Sequence, residues 1–409
     1  MMNLYILGLV ILCLIAIFFK RTINILNPIV LFCVIWGTMI FLYLIPLFTS
    51  FPSITLRKWL IIVCAVGLFC IGALLTTKLF HVQKIQHNYV YNMRILLYTV
   101  VALISIVFVA FFVTVIQLGL PPLLGGNINR ADYYVSYIEP FYLLVFPFWF
   151  LSIYLIKRGY KPTLNVFLIL SSLLLVFLKG NKFPLVFFIG LVIFYLGVDK
   201  RVKVGHLLYL TLIIIGVFGL SSTFITKATD QVIQAQNIIL GVTIPSRLRF
   251  VVDPILYFTN NLLNITNFFD VQSSYSYGAQ MFSGVFHDLG IGSLTNRLIV
   301  TNEDLWSGNL QFSWLTTGSY LKVLYLDFGY SGIFIGSLLY GFVCGLFYVR
   351  VRDWGMNNTL ITLYVYYLLF LSVLLSFFTS YLSENGLIYN FLVIIIIHIL
   401  SQRRISNAE

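Results

Sequence analysis

Long apolar runs separated by short polar turns dominate this chain. Eleven of them can be read, at 3–19, 29–48, 59–79, 95–116, 141–156, 163–178, 183–198, 205–225, 329–349, 359–381 and 387–400. A helix needs about 20 apolar residues to cross a bilayer, within a range of about 17–25. Most runs therefore predict transmembrane helices, and 163–178, 183–198 and 387–400 are short enough to tilt, to lie at the interface or to re-enter. No small-residue cleavage site follows the first run, which is read as a retained span. The predicted fold class is all-α, a polytopic membrane protein of about 11 transmembrane helices. An N-terminal bundle of about eight spans covers 1–225, with one external loop at 117–140. Residues 226–318 form a long, partly helical external loop, and 319–409 hold the C-terminal spans and a short tail. Within the long loop, Ser246 after Pro245 predicts a capped amphipathic helix running to about Asn264, with Leu248, Val251, Val252, Ile255, Leu256 and Leu263 as its apolar stripe. Such a helix either lies on the membrane surface or roofs a cavity.

Composition turns this pattern into an exclusion. Of 409 residues, 60% are hydrophobic and only 9% charged, against about 25% charged in soluble domains, so the chain lacks the polar residues for a water-facing surface. The five cysteines all sit inside apolar runs, which argues against both a disulfide framework and a thiolate metal site.

Charge gives the orientation. Alternating the loops places 15 of the 25 Lys and Arg on one face and 10 on the other, whereas 10 of the 13 acidic residues lie on the second face. The whole net charge of +12 thus falls on the first face, which the positive-inside rule makes cytoplasmic. The N-terminus is then outside and the C-terminus inside. A basic balance spread over short juxtamembrane loops is a topology signal, and no nucleic-acid partner is expected.

Candidate chemistry concentrates on the outer face. Arg247 and Arg249 are close in sequence, Arg297 shares their loop, and Arg130 lies in the 117–140 loop. Lys179 and Lys182 occupy a tight turn between two spans of 16 residues, which reach only about 24 Å and so draw the turn toward headgroup depth. Cations there are costly without an anion, and phosphate or pyrophosphate suits them, Arg bidentately and Lys as a point charge. Local pairing is the alternative: Arg249 with Asp253, Arg130 with Asp132 or Glu139, Lys179 and Lys182 snorkelling to headgroups. Aromatic residues of the long loop, Trp306, Trp314 and Tyr275 among them, suit the CH-rich faces of sugars and equally the membrane interface. His287 is the one external histidine and the first candidate for proton transfer at neutral pH. Glu303 and Asp304 are the acidic alternatives. No metal, nucleotide or hydrolase motif occurs, and the spans hold too few ionisable groups for a coupled transporter's relay.

In organisation and in several local stretches the chain resembles the bacterial O-antigen and oligosaccharide repeat-unit polymerases. The stretches are Asn27–Pro28 before a span containing Trp36; Gly119–Leu120–Pro121–Pro122–Leu123 followed by Arg130; the turn Gly180–Asn181–Lys182; and Thr317–Gly318, then Tyr325–Leu326–Asp327–Phe328–Gly329–Tyr330–Ser331–Gly332, then Gly341. Family members often carry Arg where this chain has Lys182. The resemblance implies a GT-C-like membrane glycosyltransferase, free of metal and of any other cofactor, at the periplasmic face of the inner membrane. Its partners would be donor and acceptor oligosaccharides on undecaprenyl pyrophosphate, the bilayer, and a chain-length regulator and flippase of the same pathway. On that basis Lys182, Arg247, Arg249 and Arg297, with Arg130 and Lys179, hold the donor pyrophosphate, Trp306, Trp314 and Tyr275 meet sugar, and His287 or Glu303 takes the proton of the attacking hydroxyl. The rival expectations are a lipid-linked oligosaccharide flippase, which demands a large polar cavity between span bundles, and an O-antigen ligase or membrane acyltransferase.

Overall fold

A computed structural model of the protein describes residues 22–45, 47–80, 89–125, 132–180, 183–199, 202–203, 237–242, 249–271, 275–380 and 383–404. Nine of the eleven apolar runs fall on these residues and all nine are helical; the runs 3–19 and 205–225 lie outside them. The helices are α1 (Pro28–Leu44), α2 (Leu56–Leu79), α3 (Met93–Leu118), the short α4 (Glu139–Tyr142), α5 (Val145–Lys157), α6 (Pro162–Lys179), α7 (Phe183–Asp199), α8 (Arg249–Phe268), the short α9 (Ser283–Asp288), α10 (Asn296–Gly308), α11 (Tyr320–Trp354), α12 (Leu360–Leu374) and α13 (Leu387–Ser401). Among the described residues, five helical stretches are long and apolar enough to cross a membrane: Leu56–Leu79, Met93–Leu118, Glu139–Lys157, Pro162–Lys179 and Tyr320–Asn357. Four shorter apolar helices, α1, α7, α12 and α13, pack among them.

Two runs end sooner than their hydropathy predicts. Pro28 opens α1 at its first turn, where a missing N–H costs nothing, and α1 stops at Leu44, just before Pro46. The 359–381 run leaves the helix at Leu374, because the turn after it has other work. The Ser376 carbonyl accepts from the Tyr320 backbone N–H (2.9 Å), and its hydroxyl accepts from the Trp36 indole (3.0 Å). The 329–349 run begins where α11 breaks at Gly329, and the helical turns of 320–328 precede it.

The centre of the bundle is the α2–α11 seam, and small residues make it. A Cβ at Gly341 would collide with the Phe69 carbonyl, one at Gly345 with Thr76, and one at Gly72 with the Leu338 carbonyl. Backbones can touch this closely only where side chains are missing, and lipid, as apolar as any side chain, leaves close packing as the main attraction between helices.

The connecting segments sort into two ends. At one, β1 (Thr22–Ile23) pairs antiparallel with β3 (Val202–Lys203), and β2 (Tyr89–Tyr91) with β4 (Gln402–Arg404). Arg158 donates to the Met356 carbonyl, and the Leu360 N–H donates to the Tyr91 hydroxyl. Every one of these segments belongs to the face that charge counting makes cytoplasmic. At the other end meet Thr49 and Gly241, Lys58 and Asp270, Glu139 and Lys179, and Glu303 and Lys322, all from the opposite set. The two ends are called inner and outer below.

Candidate functional site at the outer end

Helix α11 is broken near its outer end. Gly329 has φ 64° and ψ −147°, a region open in practice to glycine alone, and a Cβ there would strike the Tyr275 ring. The break frees backbone groups at membrane depth, where each must find a partner. Residues 275–281 supply them. The N–H groups of Ser276 and Tyr277 donate to the carbonyls of Leu326 and Asp327 (both 3.1 Å). In return the fully buried Asp327 carboxylate accepts from the Ser276 hydroxyl (2.7 Å) and the backbone N–H groups of Gln280 (3.0 Å) and Met281 (2.8 Å). The Asp-Phe-Gly stretch is therefore a clasp followed by a kink.

A second clasp lies one helix away. The Asp288 carboxylate at the end of α9 accepts from Gly386 N–H (2.8 Å) and Ile388 N–H (3.1 Å), capping α13. A third joins α10 to α11: Lys322 donates to both oxygens of Glu303 (2.9 Å each), its ammonium lies 4.5 Å above the Trp306 ring, and Gln280 also donates to Glu303. Residues 276–306 are thus fastened over the bundle by three carboxylates.

Three hollows can be followed among the described residues. The largest, about 600 Å³, follows α11 from Leu324 to Val343 against α12, with Met281 and Leu387 at its outer end. Those residues span about 28 Å of helix, close to the thickness of a hydrocarbon core. Its lining is almost wholly apolar, and the exposed Phe328, Ile335, Leu339 and Val343 put its mouth on the lipid-facing surface. A hollow of about 450 Å³ lies on the other side of the kink, lined by Tyr330, Phe334 and the outer end of α2, with Arg57 at its rim. The third, about 210 Å³, is different in kind. It is walled by Leu143, Phe146, Phe183, Pro184, Phe187, Phe378 and Leu387 but also by Glu384, Asn385 and Asn390. Leu387 belongs to both this pocket and the long groove.

No family model, curated protein or solved structure matches this chain. The site must therefore be judged on its own geometry.

Several expected site residues fall where that geometry can be read. Trp306 is 2% exposed; Phe268 packs edge-on against it, Lys322 covers its face, and its indole donates to the Thr316 carbonyl (2.9 Å). The ring is thus covered within the protein, whereas Trp314 and Tyr275 are exposed. Lys179 is buried, 2.5 Å from Glu139 and 4.1 Å from the Tyr142 ring centre, so its charge already has a carboxylate. Glu303 is likewise committed, to Lys322 and Gln280. His287 is exposed on α9 and lines neither the groove nor the small pocket; its neighbour Asp288 does the structural work. Arg249 opens α8 and Arg297 lies in the first turn of α10. Arg130, Lys182 and Arg247 lie outside the described residues.

The predicted amphipathic helix exists as α8, though Ser246 lies outside the described residues. Rather than lying on a surface, its second half is buried all round, Asn260 and Asn264 included. Their amides donate to the Thr317 hydroxyl (3.1 Å) and to the carbonyls of Leu315 (2.6 Å) and Thr317 (2.8 Å).

Two groups at these hollows carried no signal in the sequence. Arg57 is exposed, donates to the Tyr330 hydroxyl (3.4 Å), and is the one among the described outer cations Arg57, Lys58, Lys179 and Lys322 without an ion pair. Glu384 sits in a turn, and only the folding of four segments around that turn gives it a cavity to face.

Proposed function

We propose that the protein joins lipid-linked oligosaccharide repeat units into a polysaccharide at the outer face of the membrane, as the repeat-unit polymerases it resembles do. The observation that carries this reading is the side-by-side arrangement, across Leu387, of an apolar groove of bilayer length and a small aromatic pocket bearing a carboxylate and two amides. A polyprenyl-anchored sugar is an amphiphile of that shape: a long branched hydrocarbon joined through an anionic headgroup to polyol rings. A polymerase also binds two such molecules, and a second apolar hollow, rimmed by Arg57, flanks the same kink. Arg57, Arg249 and Arg297, with Arg130, Lys182 and Arg247 from the same face, are the groups proposed to neutralise diphosphate as it leaves. Charge stabilisation of this sort is usually the largest single catalytic contribution. A flippase would call for a polar passage, whereas the groove along α11 is lined almost wholly by apolar side chains.

The test is deletion of the gene in its own strain, followed by electrophoresis of the surface polysaccharide. A polymerase leaves anchors carrying one repeat unit and restores the ladder when the gene is supplied in trans. Polymer stranded on its lipid carrier would instead identify a ligase, and undecorated anchors with repeat units accumulating inside would identify a flippase.

A further inference from the structure

The small pocket at the outer ends of α5, α7 and α13 holds a second, unassigned piece of chemistry. Among the described residues, six buried asparagines have a side-chain oxygen without a hydrogen-bond partner: Asn165, Asn260, Asn261, Asn264, Asn358 and Asn390. The first five are held through their amide nitrogens, to carbonyls or a hydroxyl. Asn390 is 5% exposed and makes no side-chain hydrogen bond at either end among the described residues, yet it lines the pocket. A buried amide left unpaired costs about 1–3 kcal/mol, a penalty that a ligand in the pocket would remove.

The pocket's chemistry says what ligand. Phe146, Phe183, Phe187 and Phe378 present flat apolar surface, and Glu384, Asn385 and Asn390 present hydrogen-bonding groups. Rings against CH faces with amides and a carboxylate for hydroxyls are what a pyranose needs. At about 210 Å³ the space is below the roughly 300–1,000 Å³ of drug-sized sites, so it fits one ring and no more.

Glu384 is held in place by its neighbours. The Ser283 hydroxyl reaches the Ser383 carbonyl (3.4 Å), Gly284 has no room for a Cβ against the Glu384 backbone, and Asp288 fixes Gly386 and Ile388. Its carboxylate makes no ion pair among the described residues.

The geometry points to this pocket as the seat of the acceptor's terminal sugar, with Asn390 hydrogen-bonded to that sugar and Glu384 as the catalytic base. This assignment rests on the polymerase reading. In the step it implies, the acceptor hydroxyl proton passes to a Glu384 carboxylate oxygen as the hydroxyl oxygen bonds to the donor's anomeric carbon. The bond from that carbon to the diphosphate breaks, and its electron pair leaves with the diphosphate. Burial pushes the Glu384 carboxyl up from its ordinary range, which makes it a better proton acceptor once ionised. The charged groups on the surrounding elements are the Glu139–Lys179 pair, the buried Asp288 and the exposed His287, with Lys182 outside the described residues.

The test uses the full-length protein in vesicles of bacterial phospholipid, with lipid-linked repeat units extracted from the deletion strain as probe. Glu384→Gln is expected to slow elongation by about 10²–10⁴-fold and to abolish the acidic limb of the pH–rate profile, which in the wild type lies above the usual carboxylate range. Glu384→Asp should restore part of the rate. Asn390→Leu removes an amide that has no partner among the described residues, so a purely structural role predicts an unchanged or raised thermal midpoint and an unchanged KM. The proposal predicts a KM for acceptor raised at least about tenfold, more than kcat falls, a loss of about 1.4 kcal/mol. Wild-type protein that elongates alongside an equally active Glu384→Gln, or an Asn390→Leu variant with unchanged KM, overturns the pocket assignment and leaves the polymerase reading standing. Wild-type protein that never elongates overturns both.

Discussion

Lys322 and Glu303 form a pair whose halves are unequal. The lysine side chain is 12% exposed and the glutamate 42%, so water can rescue one partner but not the other. Removing the carboxylate strands an ammonium between Trp306 and the bundle, while removing the amine leaves a carboxylate facing solvent. Breaking a fully buried pair costs about 3–5 kcal/mol, and an exposed one about 1 kcal/mol or less. Glu303→Gln should therefore lose about 2 kcal/mol and Lys322→Met about 1 kcal/mol, with the double variant no worse than Lys322→Met. Thermal unfolding of the detergent-solubilised proteins checks the order; a larger loss in Lys322→Met would mean that the cation's stacking on Trp306, rather than its partner's solvation, governs the site. The same pair explains why the sequence misleads here. Counting outer cations as surplus to topology ignores the ten outer carboxylates, three of which hold Lys58, Lys179 and Lys322.

Among the helices, what could be read in advance was whatever lipid dictates. Nine apolar runs are helices, the form in which a continuous hydrophobic stretch satisfies its backbone within itself. Gly341 and the Asp-Phe-Gly stretch stood out by resemblance, and each has a mechanical cause: Gly341 lets α11 meet α2, Asp327 holds residues 276–281, and Gly329 turns the helix. Buried polarity was not legible. Asn260 and Asn264 look outward on a helical wheel, yet their partners lie more than fifty residues away at Leu315 and Thr317. Trp306 looked like a sugar platform because sequence cannot distinguish an aromatic ring at an interface from one in a core. Glu384 could not be singled out at all, since its surroundings come from α5, α7 and α9. Replacing Gly341 by Leu would force α2 and α11 apart, costing about 3 kcal/mol or more, the upper end of overpacking. Size-exclusion profiles should show aggregation for Gly341→Leu and at most partial loss for Gly345→Ala; a monodisperse Gly341→Leu would refute close backbone contact at this seam.

Across the whole molecule, the long groove is where the proposed handling of a lipid-linked substrate can be tested apart from folding. Leu339 and Val343 line it but face lipid, being 57% and 40% exposed, so a larger apolar residue at either fills the channel without entering the core. Leu339→Trp is expected to lower elongation at least about tenfold while the thermal midpoint stays within a few degrees, because the substitution adds apolar surface where lipid already was. Rescue by substrates with shorter polyprenyl tails would locate the defect in the tail's path. An unaltered rate with the natural lipid would show that the anchor runs elsewhere.

The β2–β4 pair and the Tyr91, Arg158 and Met356 contacts gather the inner turns into a knot that ties first-half helices to last-half helices, and β1–β3 adds a tie within the first half. A barrel of staves hooped at one rim can spread only at the other. Any loosening of the bundle would then start where the three carboxylates hold down residues 276–306.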